Sequence, residues 1–77
     1  MLDQMRANPN GWRIKDVESV CRALDIRLNS PTRGSHYKVS DPTMVEILTI
    51  PAQREIKPVY IRRLVDFIDA VRQARSK

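Results

Sequence analysis

Ser35-His36-Tyr37-Lys38-Val39-Ser40-Asp41-Pro42-Thr43-Met44-Val45-Glu46-Ile47-Leu48-Thr49-Ile50 is the stretch on which the fold turns. Its first six residues alternate. Tyr37 and Val39 fall on one face of an extended chain and His36 and Lys38 on the other, as in a strand with one face against a core. Asp41-Pro42-Thr43 is a turn signal, because proline presets φ and the Asp and Thr side chains bond nearby backbone. Val45 to Ile50 then resumes as a strand, and its Ile47-Leu48-Thr49-Ile50 run predicts partial cover on both faces. Upstream, Ile26 to Asn29 alternates as a shorter strand, followed by a loop of turn formers, Ser30-Pro31-Thr32-Arg33-Gly34. Three strands with such short connections must be antiparallel neighbours.

Helical patterns flank this sheet. On the C-terminal side Pro58 suits a first helical position, where its missing N–H costs nothing. Behind it Ile61, Leu64, Val65, Ile68 and Val71 form an apolar stripe beside Tyr60 and Phe67, with Arg62, Arg63, Arg72 and Arg75 on the other faces. On the N-terminal side Ile14, Val17, Val20, Cys21 and Leu24 share one face of a helix. Asp16 and Glu18 lie in its first turns, where the dipole favours negative charge. Arg13 is a poor N-cap, so burial must hold this helix more than local signals do. Residues 1–9 form a separate piece, one helical turn or a frayed arm ending at Asn8-Pro9. Asn10-Gly11 turns the chain, and Trp12 is an apolar anchor. The expectation is a single α+β domain over residues 1–77, ordered α-β-β-β-α. Two helices cover one face of a three-stranded antiparallel sheet, and the other face, carrying His36 and Lys38, stays open.

Composition narrows the function. A chain of 77 residues with two glycines and one cysteine excludes a disulfide framework, a multi-cysteine zinc site and any glycine-rich nucleotide loop. It contains no apolar run of membrane-spanning length. Met1-Leu2-Asp3-Gln4-Met5-Arg6 has no basic-then-apolar leader pattern, which predicts a cytoplasmic protein with no membrane partner. Fourteen Lys and Arg against nine Asp and Glu leave +5, and the sequence pI is about 10.0. Ten of those cations are arginines, whose planar fork grips phosphate at two points. Such a balance fits nucleic acid, and an acidic protein partner would meet the same surface.

His36 is the only histidine. Its residue type titrates near pH 6.5, so it can take or give a proton at neutrality. It follows Gly34, a residue that lets a backbone approach a ligand closely. With one histidine, one cysteine and scattered carboxylates, no metal site or serine triad can be assembled, and no cofactor is expected. Cys21 lies on an apolar stripe and reads as a packed thiol. Chemistry needing a proton shuttle and cations without a metal remains. RNA cleavage through its own 2′-hydroxyl is of that kind, and DNA, lacking that group, would be spared.

Gly34-Ser35-His36-Tyr37-Lys38-Val39 resembles the HicA family of bacterial mRNA interferase toxins. So do Asn10-Gly11-Trp12, Leu48-Thr49-Ile50-Pro51, and Glu55-Ile56-Lys57-Pro58-Val59-Tyr60-Ile61-Arg62-Arg63-Leu64, and the likeness spans roughly residues 8 to 73, giving a HicA-like domain over 10–77. The resemblance implies a fold akin to double-stranded RNA-binding domains, cleavage of mRNA, and neutralisation by a HicB-type antitoxin. The family's catalytic histidine maps onto His36, with Gly34 and Ser35 as motif neighbours. Ala52-Gln53-Arg54-Glu55 departs from the glycine-and-lysine loop common before the last helix of that family. Lys38, two residues along the same strand face, Lys57 at the last helix start, and Arg33 in the preceding loop are the candidate phosphate contacts, and Gly34 and Ser35 complete the proposed RNA-binding set. The alternatives are a non-catalytic RNA-binding module of the same fold and a domain that binds only an acidic protein.

Overall fold

The computed structural model describes residues 1–31 and 34–76. Its elements are α1 (Leu2–Ala7), α2 (Ile14–Ala23), β1 (Arg27–Asn29), β2 (His36–Ser40), β3 (Leu48–Pro51) and α3 (Pro58–Arg75). The three strands form one antiparallel sheet in the order β1-β2-β3. The α-β-β-β-α core of the fold is therefore the expected one, preceded by the short helix α1.

Burial follows the two periodicities. Along β2 the residues Tyr37 and Val39 turn inward, Val39 completely, while His36 and Lys38 are exposed. On α3 the stripe Ile61, Leu64, Val65, Ile68 and Val71 is buried together with Phe67. Val17, Val20 and Cys21 are buried on α2. These residues join Ile26, Ile50 and Ile56 in a single apolar cluster between the helices and one sheet face. Trp12 packs against that cluster and donates its indole N–H to the Asn8 carbonyl at 2.6 Å. The Ile56 N–H in turn donates to the Trp12 carbonyl at 2.8 Å, tying the α1–α2 connection to the approach to α3.

α1 is docked. A six-residue helix is not stable alone in water, and this one is held by Met5, which is 1% exposed. The Arg6 guanidinium also grips both Asp69 carboxylate oxygens on α3 at 2.6 and 2.8 Å. At the start of α2 the Arg13 side chain makes no cap, as expected, but the Asp16 carboxylate accepts the Arg13 N–H at 2.9 Å. That is half of a capping box, built from the third helical residue backwards.

The third strand differs from its expectation. It begins at Leu48, not Val45, and its cover is one-sided: Val45 is fully exposed, Ile47 is 59% exposed and Thr49 is exposed. The cause lies in the turn. The Asp41 carboxylate accepts the Thr43 N–H at 3.1 Å and the Thr43 hydroxyl, while the Asp41 carbonyl accepts the Met44 N–H at 2.9 Å. This holds residues 41–44 in a compact turn, and pairing resumes only where Leu48 meets Val39. β3 is an edge strand, and it ends in Pro51. The Ala52 N–H bonds the Ser35 carbonyl, so by alternation Pro51 faces the outer edge, where a missing N–H leaves no ladder bond unmade.

Arg75 closes the far end of the fold. Its guanidinium donates to the Leu24 carbonyl, to the Asp25 carbonyl at 2.7 Å and to the Asp41 carboxylate. One side chain thus joins the end of α3, the α2–β1 turn (where Asp25 has φ 55°) and the β2–β3 turn. Among the described residues no helix is long and apolar enough to cross a membrane.

Candidate nucleic-acid interface

The helices lie on one side of the sheet and leave the other side uncovered by any element of the chain among the described residues. Alternation along each strand and the register across them decide what this face carries. Opposed pairs in an antiparallel sheet point the same way, so Arg27 with Ser40, Asn29 with Lys38 and Thr49, and His36 with Pro51 form three successive rows. Arg27, Asn29, His36, Lys38 and Thr49 are exposed.

His36 opens β2 at one end of this face. Gly34, two residues earlier, has φ +79°, the left-handed region that glycine adopts without a side-chain penalty. A Cβ built there meets nothing within 4 Å, so the glycine serves the backbone conformation, and the space above it is open. Ser35 is exposed, and its carbonyl is fixed by the Ala52 N–H, which extends the β2–β3 ladder past His36 and holds the histidine's backbone against its partner strand.

The structure therefore brings Gly34, Ser35, His36 and Lys38 together. Lys57 is on a different element: it is the exposed N-cap residue of α3, in extended conformation (φ −62°, ψ 144°), and its side chain makes no capping bond. Its carbonyl receives the Tyr60 N–H at 3.0 Å, closing the first turn behind Pro58. Arg33 lies outside the described residues.

Two other groups have chemistry set by their surroundings. Burial pushes the Cys21 thiol up to about 11, which removes the thiolate a nucleophile needs. Asp41 is held below the ordinary carboxylate value by the Thr43 hydroxyl and N–H and by Arg75, which outweigh its desolvation. Both belong to the core and its closure, away from the open face. Among the described residues no three His, Cys, Asp or Glu side chains are grouped so as to hold a metal ion.

Reading the sequence alone missed Arg27, Asn29 and Thr49 as companions of Lys38. The alternation Arg27-Leu28-Asn29 was visible, but its register against β2 was not. No family model matches the chain, and no curated protein or solved structure matches it.

Proposed function

We propose that the chain is a metal-independent endoribonuclease, an mRNA interferase toxin of the HicA type held in check in the cytoplasm by a HicB-type antitoxin. The observation that carries this reading is His36, exposed at the start of β2 on the open sheet face. Gly34 stands beside it, and Lys38 is two residues on.

RNA supplies its own nucleophile, so the demands on the protein are few. The 2′-hydroxyl attacks the adjacent phosphorus and loses its proton. The bond from phosphorus to the 5′-oxygen breaks, and that oxygen takes up a proton, leaving a 2′,3′-cyclic phosphate and a 5′-hydroxyl end. His36 serves as general acid/base in this exchange. Lys38, about 7 Å along the strand, offsets charge on the phosphorane oxygens. Lys57 and Arg33 are the further phosphate contacts of the reading.

Cleavage of a defined mRNA by the purified chain in EDTA, beside His36→Ala, is the test. Circular dichroism establishes that both proteins are folded. Activity in the wild type and its loss in the variant are expected. Cutting by the variant at the wild-type rate refutes the role of His36. Binding of RNA by both proteins without scission by either replaces this reading with a non-catalytic RNA-binding module.

A further inference from the structure

Sheet pairing assembles an array that the linear sequence disperses. Rows on the open face are two residues apart, about 7 Å, and neighbouring strands are about 4.8 Å apart. Starting at His36, Lys38 is therefore one row on. Arg27, opposite Ser40, is two rows on and one strand to the side, about 14 Å from His36 by the same spacings. Asn29 and Thr49 stand on either side of Lys38. The seven residues of the three rows are Arg27, Ser40, Asn29, Lys38, Thr49, His36 and Pro51, with no carboxylate and no Phe, Tyr or Trp among them, and the His36 imidazole at one end is their one aromatic ring.

The chemistry of this surface is specific in what it can hold. Its cations run along the strands, with amide and hydroxyl donors between them. Such a face grips phosphate and ribose oxygens, and with one aromatic ring at one end it lacks the row of aromatic platforms on which successive bases stack. Duplex RNA is gripped by contacts that span successive minor grooves. Here the contacts form one line, on a sheet about 10 Å wide from β1 to β3. Three other arginines have partners within the chain: Arg6 pairs with Asp69, Arg75 with Asp41, and Arg63 lies over the Tyr60 ring at 5.8 Å. Arg27 instead stands on the open face.

We propose that the open face is a track for the backbone of single-stranded RNA. The strand passes from His36 along β2, with one phosphate at Lys38 and a later one at Arg27, and Asn29 and Thr49 donate hydrogen bonds around Lys38. Placing the scissile phosphate at His36 rests on the ribonuclease reading; the track itself stands on the register of the sheet. Recognition through the backbone makes the face tolerant of sequence, so base preference arises elsewhere.

The probe is a fluorescently labelled, unstructured oligonucleotide carrying 2′-O-methyl groups throughout, which cannot be cleaved through the 2′-oxygen. Its affinity is measured by anisotropy across a salt series for the wild type, Arg27→Gln, Lys38→Gln and Arg62→Gln. The last variant removes the same charge from α3. Arg27→Gln and Lys38→Gln are each expected to weaken binding roughly fivefold and to lower the salt slope by about 0.7, the share of one phosphate contact on a single strand. Arg62→Gln is expected to do neither. The track is overturned if Arg27→Gln changes affinity and slope no more than Arg62→Gln, or if the same sequence as a duplex binds more tightly than the single strand. A wild type that shows the Arg27-dependent slope but cuts no unmodified RNA sustains the track and refutes the ribonuclease reading. Cutting through His36 with binding indifferent to Arg27 and Lys38 does the reverse.

Discussion

Met5→Ala tests whether residues 1–9 belong to the fold. The Met5 side chain is 1% exposed within the core cluster, and its removal loses both transfer free energy and packing. Buried Met→Ala changes cost about 2–5 kcal/mol, depending on how far the site collapses. The lower half of that range applies here, because α1 is a six-residue terminal helix that can shift or detach. Its remaining holds are half-buried Leu2 and the exposed Arg6–Asp69 pair, and exposed pairs contribute little. A loss of about 2–3 kcal/mol lowers Tm by roughly 10–20 °C in a domain of this size. Urea and thermal unfolding followed by circular dichroism give the global change. Amide exchange at Met5 and Asn8, whose N–H groups bond the Met1 and Gln4 carbonyls, shows whether α1 has come away. Faster exchange at these two amides, with the sheet amides still protected, means that the helix detaches before the domain unfolds. A change under about 0.5 kcal/mol, within the range of surface substitutions, with unaltered exchange, refutes the docking argument.

The remaining predictions concern charge, thiol chemistry and the backbone. Asp41 and Asp69 both have folded-state values lowered from 3.8, Asp41 first by Thr43 and Asp69 first by Arg6. Their contribution is thus present in full above the unfolded value and is lost as pH falls through the folded ones. Urea midpoints should therefore decline below about pH 4, and Asp69→Asn should flatten part of that decline; an unchanged acid limb contradicts the assignment. Cys21, raised to about 11, should resist a thiol reagent at pH 8 in the native state and react promptly in urea. Rapid labelling of the folded protein would show an exposed thiol instead. Gly34→Ala has no neighbouring atom to clash with but must adopt φ +79°, so it should cost about 1–2 kcal/mol without loss of cooperativity; a neutral result in urea melts means that the loop takes another conformation.

Much of this protein was legible as periodicity. The 3.6-residue stripe from Ile61 to Val71 and the two-residue alternation at Tyr37 and Val39 announced α3 and β2 with their buried faces. Both signals are local: a helix or strand with one apolar face must turn that face inward, whatever covers it. His36 and Lys38 were assigned to the open face by the same rule. The run at Val45–Ile50 misled because strong β-formers show only that a segment can pair. The Asp41 turn decided that pairing starts at Leu48.

Tertiary structure settled what depends on partners distant in sequence. Nothing near Arg6 or Arg75 marks Asp69 or Asp41 as its mate, since these pairs are 63 and 34 residues apart. Nor does Arg27-Leu28-Asn29 reveal that Lys38 stands beside Asn29, because a shift of the strands by one residue would put Arg27 and Asn29 on the buried face. The chain alone determined which side chains seek the core and which can meet phosphate. The register of the sheet, which rests on pairing between strands over a shared core, decided which of them stand together.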